Sequence, residues 1–362
     1  RKSRVPCQIL PGRGYDNRFH LIYQSVIVKI LIRKIRLKMA SGSKETVFIT
    51  GGAGFLGSNL CDKLIDQGHN VICIDNLLTG DEKNIEQLRN NPKFEFIKRD
   101  VSEVLPSDLE ADQIYHLASP ASPNKDNPKS YMVLSFETML VNTTGTWNLC
   151  QWASIKGAKF LFASTSEVYG DPKEHPQKES YSGNVSTTGP RACYDEAKRY
   201  GETIVAEFSR KKEFDGRIVR IFNTYGPRLA DDGRVVIEFI KAALERRPFP
   251  VFGDGKQTRS FCYVDDIVEG LIAAMEKGKK GEVYNLGNPD EFTIGELADN
   301  IQELTNSPAE IEFLPLPEDD PQKRCPDISK AKKELDWEPQ VGLLEGLKRY
   351  IDYLQGKVNE NH

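Results

Sequence analysis

The sequence is sparing with the residues that build cross-linked or metal-bound folds. Its 362 residues include seven cysteines (7, 61, 73, 150, 193, 262 and 325) but no C-x-x-C pair, and only five dispersed histidines. That distribution offers no disulfide framework and no metal-ligand spacing. Most of the cysteines fall in apolar patterns, where a free thiol packs as a small hydrophobe. A reducing, cytoplasmic setting is expected. Long apolar runs are missing too. The stretch LIYQSVIVKILI at 21–32 is 12 residues long and contains Lys29, against the ~20 a spanning helix needs. It has no small-residue cleavage site of the signal-peptide kind. Low-complexity tracts are absent, and 39% hydrophobic with 28% charged residues is ordinary globular composition.

Net positive charge is concentrated in one segment. Residues 1–38 hold ten Lys/Arg and one acid, so within a net charge of −4 the rest of the chain carries −13. An acidic body excludes nucleic acid as the main partner, because phosphate binding needs a cationic face. Met39 opens MASGSKETVFIT in the manner of a start. Residues 1–43 are therefore expected to be a basic, poorly ordered extension, the other reading being a membrane-surface helix.

What is present is an alternation. Short β-rich runs fall at 46–50, 70–75, 94–98, 112–117, 159–164 and 217–222. Helical stretches near 55–67, 81–90, 129–155 and 193–212 lie between them. Apolar strands separated by helices imply an α/β fold, a doubly wound parallel sheet of Rossmann type. After about residue 230 the elements shorten and Pro/Gly punctuation thickens. The expected division is a Rossmann domain at 44–230, a smaller mixed α/β substrate lobe at 231–357, and a tail at 358–362.

The first strand runs into TGGAGFLG (50–57), which satisfies G-x-G-x-x-G at Gly52, Gly54 and Gly57 and also spaces Gly51, Gly54 and Gly57 by three. Such glycines permit a tight turn, close approach of backbone to a pyrophosphate, and close helix–strand packing. The helix that follows presents free N–H groups to phosphate. Asp75 closes the next strand 23 residues after Gly52. An acid there accepts from ribose hydroxyls and repels a 2′-phosphate, which favours NAD over NADP. Asp100 and Val101, after the third strand, are placed to flank adenine.

Tyr194 and Lys198, in ACYDEAKRYG, are four apart on a helical stretch and share a face. Two other Y-x-x-x-K pairs exist, but one contains Pro172 and the other lies in a polar tail. Bringing a tyrosine from ~10 to near 7 needs about 4 kcal/mol. One ammonium about 4 Å away supplies roughly that at an effective dielectric of 20. Tyr194 is thus expected to act as a general base toward a sugar or alcohol hydroxyl. Ser164, Thr165 and Ser166, at the end of the fifth strand, are expected to hold that hydroxyl. Immediately after them comes a carboxylate, Glu167, whose partner the sequence does not name.

These motifs, with HLASPASP (116–123), STSEVYGDP (164–172), RIFNTYGPR (220–228), QTRSFCYVDD (257–266), NLGNP (285–289) and DDPQKRCPDISKAKKELDWEP (319–339), resemble the extended short-chain dehydrogenase/reductase family. Within its nucleotide-sugar branch the combination is similar to the UDP-glucuronate decarboxylases over about 46–355. The chain departs from their pattern at Ser182 in YSGN, where an aromatic is common, and in NVSTTGPR, where Asn-Pro is more usual.

The resemblance implies an enzyme that oxidises a sugar 4-hydroxyl with tightly bound NAD, loses CO₂ from the resulting β-keto acid, and returns the hydride to give UDP-xylose. The other readings are an epimerase or 4,6-dehydratase of the same family, a decarboxylase releasing the 4-keto pentose, and a non-catalytic NAD-sensing protein. The resemblance implies catalytic roles for Tyr194, Lys198, Thr165, Glu167 and Arg324, with Glu167 positioning the uronate carboxylate and Arg324 orienting the departing group. It implies a cofactor cradle of Gly51, Gly54, Phe55, Leu56, Gly57 and Asp75, continued by Asn76, Thr79, Gly80, Asp100 and Val101. Leu117, Ser119 and Thr224, with Tyr194 and Lys198, complete it. Asn223, Arg234, Arg259 and Arg324 are implied contacts of the UDP-sugar. The helices near 129–155 and 193–212 resemble those that pair in a four-helix homodimer interface.

Overall fold

A computed structural model of the chain describes residues 44–211, 214–315 and 323–360. The basic segment at 1–43 lies outside the described residues, as do 361 and 362. In chain order the principal elements are β1 (Thr46–Thr50), α1 (Phe55–Asp66), β2 (Asn70–Asp75), β3 (Phe94–Lys98) and β4 (Gln113–His116). Then come α2 (Ser135–Leu140), α3 (Thr146–Lys156), β5 (Lys159–Thr165), α4 (Ala192–Lys211), β6 (Gly216–Ile221), α5 (Val235–Leu244) and α6 (Val264–Lys277). The rest are β7 (Val283–Leu286), α7 (Ile294–Thr305), α8 (Ser329–Leu335) and α9 (Leu343–Glu360).

Period-2 alternation in the strands divides the core. Val47 and Ile49 of β1 join Leu60 and Leu64 of α1 and the α6 residues Ile267 and Leu271 on one face of the sheet. Phe48, Phe160 and Phe162 join Leu149, Trp152 and Val205 on the other. The central strands, buried on both faces, read as continuous apolar runs, whereas the edge strand β3 is only partly buried and alternates. Each fully buried phenylalanine contributes roughly 1.5–3 kcal/mol.

The seven strands are parallel in the order β7-β6-β5-β4-β1-β2-β3. β1 pairs with β2 on one side and β4 on the other, so the chain reverses its direction of travel across the sheet there. The crevice beyond the carboxyl ends of β1 and β4 is the switch point where such sheets take ligands. The seventh strand was not anticipated. β7 lies beyond residue 230 yet adds to the edge of the sheet against β6. It carries Asn285, fully buried, which accepts from Tyr169 Oη at 2.8 Å and donates to the carbonyls of Gln177 and Asp327. A four-residue strand with a buried amide has no apolar signature. The helix expected over 129–155 is two helices joined by a π-turn at Val141–Gly145. That expected at 81–90 is a 3₁₀ segment, Glu82–Leu88. α9 reaches Glu360, past the expected lobe end at 357.

Three short strands form a separate sheet that matters for the site. Thr258–Ser260 lies between Glu291–Thr293, antiparallel to it, and Lys323–Arg324, parallel to it. No helix among the described residues is long and apolar enough to cross a membrane.

Candidate active site

The turn after β1 begins at Gly51, whose φ of 75° lies in the left-handed region. A Cβ there would sit 2.7 Å from the backbone of Ala118, beyond β4. Only glycine lets the turn close against its neighbour at the switch point. At Gly57 a Cβ would fall 2.1 Å from the carbonyl of Gly51, so this glycine sets how closely α1 approaches β1. The result is a cleft of about 550 Å³ above the carboxyl ends of the strands. Gly51, Gly54, Phe55, Leu56, Gly57, Asp75, Asn76, Thr79, Gly80, Asp100, Val101, Leu117 and Ser119 all line it.

Asp75, at the end of β2, is buried and accepts from the backbone N–H groups of Ala53 (3.0 Å) and Leu77 (2.8 Å). Burial nevertheless raises its pKa above the usual carboxylate value. Opposite, a Cβ on Gly80 would come 3.0 Å from both Asp75 carboxylate oxygens, so the space over this acid is kept clear. Asp100 is only partly buried, and bonds from Ser102 and Asn76 outweigh that burial to hold its pKa low. A glycine-walled cradle with a buried acid on the ribose side and free α1 N–H groups fits an adenine dinucleotide.

The second group of expected residues does not line that cleft. Thr165, Glu167, Tyr194, Lys198 and Arg324 gather instead at the carboxyl end of β5. Thr165 closes β5, and its Oγ1 accepts the N–H of Glu167 at 3.2 Å, capping a 3₁₀ turn at Ser166–Tyr169. Tyr194 lies near the start of α4, and the side chain of Thr165 beside it works to lower the pKa of its phenol against the larger effect of burial. Lys198, one turn on, donates to the carbonyl of Ala163 at 2.7 Å, with Nζ 5.8 Å from the Tyr194 ring centre.

Two expectations need correction. Ser164 cannot share the hydroxyl held by Thr165, because consecutive strand residues face opposite ways. Its Oγ donates to Glu202 at 2.6 Å, and Glu202 is paired with Arg220. Nor is the Tyr194 phenol acidified by Lys198 alone in this state. Burial pushes its pKa up, and burial pulls that of Lys198 down to about 7. At neutral pH the lysine thus carries only part of the charge that the simple Coulomb argument assumed. Arg234, an expected contact of the UDP-sugar, lines the cleft and is forked onto its neighbour Asp232, with Nη2 2.6 Å from Oδ2.

Glu167 touches two arginines. Arg324 Nη1 and Arg191 Nη2 bond its two carboxylate oxygens, and Arg324 Nη2 adds a contact at 3.0 Å. Although the carboxylate is buried, this clamp lowers its pKa. Arg324 arrives from 157 residues away because its short strand pairs with Thr258–Ser260. The same pairing sets Arg259 beside Arg324 in register. Asn223 accepts the N–H of Cys262 through its carbonyl, and Thr224 bonds the Phe222 carbonyl.

Sequence reasoning missed several members of this group. Arg191 sits in GPRACYDE, two residues before the helix pattern that drew attention to Tyr194. Asp195 is buried with Oδ1 unpartnered among the described residues, and burial beside Glu167 raises its pKa to about 7. Tyr131 stacks on Tyr194 with ring centres 4.6 Å apart and planes 12° from parallel. Asn142, in the π-turn, donates to Ser119 at 2.9 Å and so ties this cluster to the cleft. A π-turn interrupting a helix beside a site was the signal for Asn142. It is not legible in side-chain pattern.

A Rossmann sheet with a glycine cradle and an adjoining Thr–Tyr–Lys cluster defines a dinucleotide-dependent enzyme. The chain belongs to the NAD dependent epimerase/dehydratase family, whose profile it matches over residues 47–287. It is 52% identical over 325 residues to UDP-glucuronic acid decarboxylase 1 of Arabidopsis thaliana, covering 89% of this chain and 73% of that one. It is 48% identical to UDP-glucuronic acid decarboxylase 1 of Xenopus tropicalis, over 88% and 74% of the two chains. Among solved structures it superposes on UDP-glucuronic acid 4-epimerase from Bacillus cereus, in complex with UDP-glucuronic acid and NAD. The TM-score is 0.76 at 31% identity, over 86% of this chain and 99% of that one.

Proposed function

We propose that the protein is an NAD-dependent carboxy-lyase that converts UDP-glucuronate to UDP-xylose. The observation that carries this reading is the clamp of Glu167 between Arg324 and Arg191, beside Thr165, Tyr194 and Lys198. A plain 4-epimerase needs a base for the 4-hydroxyl but no buried carboxylate held by two arginines. The names of the relatives at about half identity point the same way.

Gly51–Gly57, Asp75 and Asp100 would hold NAD, which when bound would supply the oxidising and then reducing equivalents for the sugar 4-position. Thr165 and Tyr194 hold that hydroxyl, and Tyr194 takes its proton. Protonated Lys198 stabilises the phenolate, offsetting the burial that otherwise opposes it. With a ketone next to the carbon that bears the carboxylate, C–C cleavage delivers its electron pair into the carbonyl, and CO₂ departs. With its fork held by Glu167, Arg324 orients the uronate carboxylate through its Nε–H, which is without a partner among the described residues. Glu167 fixes Arg324 in place and, being anionic, disfavours the charged ground state of the uronate. Arg259, set beside Arg324, and Asn223 and Arg234 serve the diphosphate side.

The division into a Rossmann part and a substrate part near residue 230 belongs to the same proposal. So does a homodimer through α2–α3 and α4, supported by Phe136, Trp147, Ile155 and Tyr200, all exposed on these helices. Free thiols at all six described cysteines favour a reducing, cytoplasmic setting. The test is to incubate purified protein with UDP-glucuronate and no added NAD and to weigh the nucleotide product. Loss of the mass of CO₂ with no net NADH supports the proposal. A product isobaric with substrate identifies an epimerase instead, and NADH accumulating with ketone identifies release of the 4-keto pentose.

A further inference from the structure

The dispersed histidines and cysteines gave no metal spacing in the sequence, but folding brings three donors together. A ring nitrogen of His175, a carboxylate oxygen of Glu291 and Sγ of Cys325 all lie within 4.8 Å of one another. His175 Nε2 is 2.8 Å from Glu291 Oε2. The other carboxylate oxygen accepts from Thr258 Oγ1 at 2.7 Å, which fixes the plane of the carboxylate. This is the kind of outer contact that orients metal-binding carboxylates. Cys325 is held by its backbone: its N–H donates to Gln177 Oε1 (2.9 Å) and its carbonyl accepts from Gln177 N (2.8 Å). Its thiol, 5% exposed by residue, meets Pro289 O at 3.3 Å. His175 is exposed on the other side, leaving an entry path.

We propose that His175, Glu291 and Cys325 form a binding site for a zinc-class divalent ion, with water as the fourth ligand. The donor chemistry is right: imidazole, carboxylate and thiolate are the three side-chain types that zinc takes, and two anionic ligands neutralise its charge. Tetrahedral zinc at ~2.0–2.3 Å from each donor sets them about 3.5 Å apart, so the His175–Glu291 pair must open from 2.8 Å while the wider separations, up to 4.8 Å, close. The exposed imidazole has room to make most of that movement. On binding, the thiol proton is released to solvent and no redox change occurs. The ion would staple three segments, the 175–177 loop, the Glu291–Thr293 strand and the residue directly after Arg324. Its role is structural, holding the short strand that delivers Arg324 to Glu167.

The test uses the full chain without a polyhistidine tag, titrated with Co²⁺ as a spectroscopic probe and then with Zn²⁺. One equivalent of Co²⁺ is expected to give a thiolate-to-cobalt charge-transfer band and tetrahedral d–d bands, displaced by Zn²⁺. Zn²⁺ should raise the melting temperature by a few degrees. Cys325→Ser should abolish the charge-transfer band, while Cys193→Ser and Cys7→Ser keep it. His175→Gln, at an exposed position that leaves folding intact, should weaken Co²⁺ binding by more than the ~10–100-fold typical of outer-shell changes. No band in the wild-type chain, a band that survives Cys325→Ser, or unchanged affinity in His175→Gln overturns the proposal.

Discussion

The two halves of the site are built in opposite ways. The cofactor cleft is made of neighbours: glycines 51 to 57, Asp75 and Gly80 all follow two adjacent strands, and its contacts run largely to backbone. The sugar-acid half is made of charged side chains from far apart, with Glu167 joined to Arg324 across 157 residues and to Arg191 across 24. A backbone cradle is a property of one supersecondary unit and tolerates little but glycine. A charge clamp depends on the distant Lys323–Arg324 strand pairing correctly, and its components are individually ordinary.

That contrast can be tested from the strongest effect downward. Tyr194→Phe removes one oxygen from the reacting cluster and nothing from the cradle. Turnover should fall roughly 10²–10⁴-fold, with the NAD content of the purified protein unchanged. Glu167→Ala strips the shared partner from buried Arg324 and half-buried Arg191 and should cost about 3–5 kcal/mol in urea unfolding. Gly51→Ala is the corresponding lesion in the cradle. The positive φ and the 2.7 Å approach to Ala118 should cost about 1–3 kcal/mol. Here NAD should be lost on dialysis, whereas the Glu167 variant should keep it.

The smallest effect concerns pH. The Asp195 carboxyl titrates near 7 in the fold and near its ordinary 3.8 in the unfolded chain. Between these values the folded state holds a proton that the unfolded chain has lost. This group's contribution to stability is therefore full below about pH 4 and declines as pH rises through 7. Asp195→Asn should stabilise the protein at pH 8 and leave it unchanged near pH 4. Denaturant midpoints at the two pH values check the sign.

The same contrast explains what could be read from the sequence. Six of the seven sheet strands and the glycine turn after β1 were legible because apolar runs and glycine spacing are local signals. Thr165 was legible as the polar end of an apolar strand, but strand alternation was needed to separate it from Ser164. β7 was not legible, since Val283–Leu286 is short and built around a buried asparagine. Arg191 and Tyr131 carry no periodic signal. Their importance comes from which helix face meets the end of β5, and that is decided by tertiary packing. The grouping of His175 with Cys325 is invisible for the same reason.

The most direct test of the clamp's role follows carboxyl-labelled UDP-glucuronate with the Glu167→Gln variant, counting trapped CO₂ and bound NAD in the same preparation. We expect NAD at the wild-type level and label release lowered by about 100-fold or more, the size of effect that losing one positioned charged group commonly has. Release of label at the wild-type rate would contradict the assignment of Glu167 and Arg324 to decarboxylation.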